Sequence, residues 1–247
     1  MTPPPAKEAV QVTRWRLKHC IANLLRKPEG EKNPGVCVCG SAGHKVDAVG
    51  LVLRDGRPGL SGVFYCDSPW LCTTCAPRRA AERAERVAKL FDAVEKKNGT
   101  IVFVTLTVKH KKGQGLADLK KLVSEASLDA RRGAPWNKRK ERHKVLGVVA
   151  SPEVTYGQHG WHYHIHLGLV TLESDRDAAE EFGDWFVDRY IDYVKAAGGR
   201  ASRKGQDVQA IWRREDVAAY LAKGSAAWEI ASAGATKAGR AGWTPWD

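Results

Sequence analysis

The stretch GWHYHIHLGLV, Gly160 to Val170, sets three histidines at strict two-residue spacing inside an otherwise apolar run. A β-strand puts His162, His164 and His166 on one face, because alternate side chains of a strand share a face. Three stacked imidazoles make poor packing, so this face is expected to bind something. The preceding VLGVVASPEVTY reads as a second strand, and the GQHG between the two makes them a hairpin. With Gln158-His159 as a two-residue loop, paired positions sum to 317, which sets Glu153 opposite His164 and diagonal to His166. Two imidazoles and one carboxylate then converge. Such a mixed nitrogen and oxygen set suits Mg²⁺ or Mn²⁺, or another divalent ion, with positions left open to polarise a phosphoryl oxygen. At ~3.3 Å per residue His162 and His166 are about 13 Å apart, so one ion cannot take all three. The expected ligands are His164, His166 and Glu153.

The electrostatics name a partner. Forty Lys and Arg against 28 Asp and Glu leave a formal charge of +12 over 247 residues. A surplus of that size attracts a polyanion, nucleic acid before an anionic membrane surface. No apolar run approaches the ~20 residues that span a bilayer, and the start MTPPPAKEAV lacks a signal-peptide core. No membrane association is expected, and the protein is expected to be cytoplasmic. In that compartment six cysteines read as metal ligands or free thiols rather than disulfides.

Along the chain, residues 1–27 read as a tail and a helix, and residues 28–76 as a cysteine-rich module whose Asp55-Gly56 and Pro58-Gly59 signal turns. Residues 77–230 form the main domain, with 77–98 as a linking helix whose Val87, Phe91 and Val94 make one apolar stripe, and 231–247 as a tail. Within the main domain, TIVFVTLTV reads as a buried strand, residues 115–131 as a helix, and RRGAPWNKRKERHK as a basic loop. The histidine hairpin follows, then a helix capped by Ser174 and ended by Gly198-Gly199, a last strand DVQAIW, and a short helix REDVAAYLAKG. This order is the split β-α-β of a ferredoxin-like or RRM-like antiparallel sheet flanked by helices, an α+β fold with an N-terminal zinc-binding module.

Cys72-Thr-Thr-Cys75 has zinc-knuckle spacing, with Cys66 upstream and Cys37-Val-Cys39 further back. The expected quartet is Cys39, Cys66, Cys72 and Cys75, with Cys37 as the obvious substitute for one of them and His44 as a weaker candidate. Four thiolates close a tetrahedron, so that Zn²⁺ would be structural. Cys20, alone on its helix, reads as a small buried apolar residue. In the basic loop Arg131, Arg132, Lys138, Arg139 and Lys140 are candidates for phosphate contacts, and Trp136 for stacking on a base.

HYHIHLGLV resembles the His-hydrophobic-His motif of the HUH endonucleases, especially the rolling-circle replication initiators of bacterial, notably actinobacterial, plasmids. FVTLT, Phe103 to Thr107, resembles the first of that family's three ordered motifs, and DVAAYLAKG the third, a helix bearing a nucleophilic tyrosine. The cysteine run YCDSPWLCTTC is also similar to the pattern upstream of the nuclease core in such initiators. The likeness spans residues 36–229. Asp216, Tyr220 and Lys223 share a helical face at i, i+4 and i+7. The resemblance implies that Tyr220 is the nucleophile, that Lys223 favours its phenolate, and that Asp216, beside Glu215, stands where many initiators carry a water-activating glutamate. Tyr190 and Tyr193, a rival pair, read as helix packing. The resemblance also implies single-stranded or cruciform origin DNA as substrate, with host helicase and polymerase as partners. A mobilisation relaxase or HUH transposase shares that chemistry, and a non-catalytic zinc-containing DNA-binding regulator is the alternative of a different class.

Overall fold

The computed structural model describes residues 6–44, 46–69, 71–211 and 242–243, which fall into two compact units, residues 1–80 and 81–247. In the first unit, α1 (Ala6–Leu25) precedes a 3-10 turn at Gly35–Val38 and a two-stranded ribbon, β1 (Gly50–Arg54) with β2 (Arg57–Ser61). Asp55 and Gly56, at φ 50° and 73°, make the ribbon's turn, both in the left-handed region that a two-residue hairpin demands. Pro58 and Gly59 do not form a second turn. They lie within β2, where a two-stranded ribbon is all edge and tolerates a residue without an N–H. The apolar centre of this unit is built around sulfur: Val36, Cys39, Cys72 and Cys75 are buried, with Ile21, Leu25, Cys37 and Cys66 packed on them. Buried Lys18 ties α1 to this centre by donating to the Cys39 carbonyl at 2.6 Å. Cys20 is exposed on α1 rather than buried, since the sulfur-lined centre takes up Ile21 and Leu25 from that helix instead.

Helix α2 (Cys75–Glu95) begins at the last cysteine of the CxxC pair, two residues before Pro77, so Pro77 sits in the first turn where a missing N–H costs no helical bond. The second unit holds β3 (Thr100–Thr107), α3 (Leu116–Ala130), α4 (Gly133–Arg142), β4 (Val145–Gly157), β5 (Gly160–Thr171), α5 (Arg176–Ala196), β6 (Asp207–Ile211) and β7 (Gly242–Trp243). The sheet runs β6-β3-β5-β4-β7, and each adjacent pair is antiparallel. β3 and β4 therefore point the same way with β5 inserted between them, which is the split β-α-β arrangement.

The two faces of the sheet have different covers. α5 packs on the face that carries Val102 and Val208, and so closely that a Cβ at Gly183 would sit 2.5 Å from Val208 Cγ1 and 2.7 Å from Val102 Cγ1. Phe182, Phe186, Tyr190 and Val194 of α5 are fully buried, and α3 packs beside it, with Ser124 reaching the Tyr163 hydroxyl at 3.3 Å. On the opposite face, Val94 of α2 packs with Ile101 and Val170 at one end. The histidines occupy the other end. No helix among the described residues is long and apolar enough to cross a membrane.

Two further expectations need correction. The segment read as a basic loop is helix α4: Pro135 falls in its first turn, Asn137–Arg142 is rich in good helix formers, and Trp136, 7% exposed, anchors it against Phe182, Trp185 and Phe186. The cap of α5 is Asp175 and not Ser174, because the Asp175 carboxylate accepts the Ala178 N–H at 3.1 Å.

Candidate functional site

Two clusters of potential metal ligands occur among the described residues. The first stands on the β4-β5 hairpin, where Glu153 pairs directly with His164. Glu153 Oε2 lies 2.8 Å from His164 Nε2 and 3.0 Å from His166 Nε2. β3 supplies what the hairpin lacks. Thr105 is the partner of His166 and Thr107 of His164, so both hydroxyls emerge on the histidine face. Thr105 Oγ1 meets His166 Nδ1 at 3.1 Å, which leaves Nε2 of that ring to face Glu153. Phe103 stacks on His166 from the apolar side at 5.7 Å. Nδ1 of His164 is buried without a hydrogen-bond partner among the described residues.

Burial alone would raise the pKa of the Glu153 carboxyl, but hydrogen bonds and charge from His164 and His166 outweigh it and hold the group well below the usual carboxylate range. An ionised, largely buried carboxylate needs a positive charge, supplied by a protonated imidazole or by a cation held among these three donors. The donor atoms all lie within 4.8 Å of one another. One hard oxygen and two imidazole nitrogens, with one ring oriented from behind, fit a divalent ion with coordination positions to spare.

His162 is outside this set. Its ring stacks on His110 at 4.9 Å, its centroid lies 4.8 Å from that of His164, and its Nε2 meets Thr107 Oγ1 at 2.9 Å. Burial, then the neighbouring His164 and His110, push its pKa down to about 4, so the ring is neutral at pH 7. Thr107 is in turn fixed by Gln206, whose Oε1 accepts the Thr107 N–H at 2.8 Å while its Nε2 donates to the Thr107 carbonyl at 3.1 Å. Tyr190 donates to the same carbonyl at 3.2 Å, and burial pushes its phenol up, as befits a packed residue and not a nucleophile. Thr105 and Thr107 fall within the expected FVTLT motif but have no role assigned to them, and His110 and Gln206 carry no expectation from sequence. The alternation of Thr105 and Thr107 was the available signal, but their register on β5 cannot be counted across two helices and a strand.

The second cluster brings together Cys39, Cys66, Cys72 and Cys75. Sulfur separations of 3.6 Å (Cys39–Cys75), 3.6 Å (Cys72–Cys39) and 3.9 Å (Cys66–Cys75) exceed the ~2.05 Å of a disulfide. They match the edges, about 3.8 Å, of a tetrahedron with ~2.3 Å metal–sulfur bonds, so the cluster fits a zinc module. Cys37 turns away and donates to the Ala22 carbonyl at 3.4 Å, and His44 is exposed outside the cluster. Burial pushes the Cys66 thiol up and that of Cys75 up to about 11. Cys72 moves down despite burial, because the backbone N–H groups of Cys75 and Thr74 point at its sulfur at the start of α2. A bound dication favours all four thiolates at once.

The cationic candidates of α4 and its approach are largely engaged. Arg131 donates to the Ser127 carbonyl at 3.0 Å, Arg132 pairs with Asp129 at 3.0 Å, and Arg139 pairs with Glu181 at 3.2 Å while lying over Trp185. Lys138 and Lys140 are exposed. Trp136 offers no face to a base, since its ring is buried in the α4-α5 contact where apolar area is worth more than a stacking platform. Asp216, Tyr220 and Lys223, together with Glu215, lie outside the described residues.

A ferredoxin-like antiparallel sheet bearing a Glu-His-His cluster, in a chain with a four-cysteine unit, defines an α+β protein equipped for metal ions. Residues 59–182, just over half of the chain, match the family described as replication protein, and the chain belongs to that family. Curated relatives named Protein rep are 28% identical in each of three bacteria. In Streptomyces lividans the match runs over 166 residues, 54% of this chain and 36% of that protein. In Lentilactobacillus hilgardii it covers 51% of this chain and 41% of the relative, and in Streptococcus pneumoniae serotype 2 it covers 61% and 51%. The matched part of the chain thus spans between about a third and a half of these relatives' length. No solved structure matches.

Proposed function

We propose that this replication protein initiates plasmid rolling-circle replication by nicking and rejoining single-stranded DNA at the origin. The observation that carries the reading is the convergence of Glu153, His164 and His166 on one point of a rigid sheet. Glu153, His164 and His166 would hold an Mn²⁺ or Mg²⁺ ion, which would supply Lewis-acid polarisation of the substrate phosphate. The chain's own residues do the rest. Tyr220 attacks the scissile phosphorus through its phenolate oxygen, with Lys223 lowering the cost of losing the phenol proton. The P–O3′ bond breaks, the 5′ phosphate stays on the tyrosine, and the leaving oxygen takes a proton to become the 3′-hydroxyl that primes synthesis. Asp216 activates water for the terminating cleavage. The cysteine cluster holds Zn²⁺ as a structural ion, and host helicase and polymerase act on the product.

The test mixes protein, Mn²⁺ and end-labelled single-stranded oligonucleotides. A covalent protein–DNA adduct that disappears in Tyr220→Phe is expected. DNA retardation with no adduct under any divalent ion would instead make the protein a non-catalytic DNA-binding regulator.

A further inference from the structure

Beside the metal-ligand cluster, at the Thr107 end of β3, a cavity of about 460 Å³ is lined by Thr107, Lys109, His110, His162, Ser202 and Gln206, among others. Its volume is in the small-ligand range of about 300–1,000 Å³. Two segments form its rim. The Lys109 N–H donates to the Arg200 carbonyl at 2.7 Å, which ties the loop after β3 to the segment before β6. The same loop rests on the hairpin end, since a Cβ at Gly160 would lie 3.2 Å from Lys112 Cα. Lys109, Lys111 and Lys112 on one segment, and Arg200 and Lys204 on the other, are exposed and have no acidic partner among the described residues. Arg203 alone of this group is neutralised, by Asp184.

The α4 cations are placed less well. They belong to the Val145 end of the hairpin, and the eight steps along the strand from Val145 to Glu153 span about 26 Å at ~3.3 Å per residue. The stacked His110–His162 pair adds an aromatic wall of the kind on which an unpaired base stacks. We propose that single-stranded DNA next to the scissile phosphate tracks across this rim, with its phosphates against Lys111, Lys112, Arg200 and Lys204 and one nucleotide seated between the His110–His162 pair and Gln206. The inference rests on the nicking reading for its substrate, and it sets the DNA path away from the cations of residues 131–140.

Charge contacts to phosphate are sequence-independent and salt-sensitive, so labelled oligothymidylate serves as the probe for the full chain. In the triple variant Lys111→Gln/Lys112→Gln/Lys204→Gln, affinity at ~0.1 M salt falls about tenfold or more. The slope of log K against log salt shrinks by about 0.7 for each lost contact, about 2 in all. Lys138→Gln/Lys140→Gln changes affinity by less than about threefold. A triple variant that keeps the wild-type slope, or a Lys138/Lys140 pair that costs more, overturns the path. For the seat, wild-type protein prefers oligothymidylate over an abasic strand of equal length, and His110→Ala loses that preference; its retention overturns the seat. Oligothymidylate carries no origin, so these readouts are independent of nicking. Absence of an adduct with intact salt dependence sinks the chemistry and leaves the path standing, and the reverse result does the opposite.

Discussion

The two metal-ligand clusters solve opposite problems with opposite materials. The cysteine cluster draws Cys39 from just after a 3-10 turn, Cys66 from a loop, Cys72 from the turn before α2 and Cys75 from its first residue, in a unit with a two-stranded ribbon and, among the described residues, little other core. Its four sulfurs complete a coordination shell and leave nothing for a substrate. The hairpin cluster has three donors on a sheet already held together by β3, α3 and α5, so its fold does not need an ion. Its three donors leave coordination positions open. On the proposed reading, the cluster that closes holds the chain and the one that stays open holds something else.

The sharpest way to break this contrast is to remove one ligand from each. Cys72→Ser should cost most of a zinc-binding energy that is on the order of 10 kcal/mol in small zinc domains, and hydrogen exchange should show residues 35–75 opening while β3 to β6 stay protected. Equal protection in both units would end the structural role. His166→Ala should abolish Mn²⁺ binding, by a hundredfold or more in isothermal titration, with zinc content and melting temperature nearly unchanged. Coupled loss of both metals would show that the clusters are not independent.

A smaller effect tests the orienting hydroxyl. Thr105→Val keeps shape and β-branching but deletes the contact to His166 Nδ1, so Mn²⁺ affinity should fall about 10- to 100-fold, and Thr105→Ser should restore most of it. The matching signature is the His166 tautomer by nitrogen NMR, which a merely structural threonine would leave alone. The smallest effect concerns His162. Its folded pKa of about 4 lies below the ordinary 6.5, so below pH 6.5 the unfolded chain binds more protons than the folded one. Stability of the metal-free protein from this group is complete above pH 6.5, declines as pH drops towards 4, and changes no further beneath it. A His162 ring titrating near 6.5 would contradict the buried, neutral role.

Glu153 was legible opposite His164 because a two-residue turn ties register to sequence: once the loop is known, pairing is addition. Thr105 opposite His166 was not, because β3 reaches β5 only through α3, α4 and β4, and no local rule carries a register that far. Choosing Cys39 over Cys37 posed a similar difficulty. The two flank one valine in a tight turn, and only the packing of α1 decides which sulfur faces inward. α4 was missed because Gly133 and Pro135 are strong loop signals when read singly, whereas tertiary burial of Trp136 sets the outcome. The expected tyrosine helix lies outside the described residues.

Gln206 has a consequence for how the sheet ends. β6 pairs with β3 only as far as Thr105 opposite Asp207, which would leave the last residue of β3 with bare peptide groups on that side. A carboxamide carries the same donor and acceptor as a peptide, and Gln206 turns its own onto Thr107 like a one-residue splint. The corner next to the histidines therefore leaves neither the N–H nor the carbonyl of Thr107 bare, without needing more backbone to cover it.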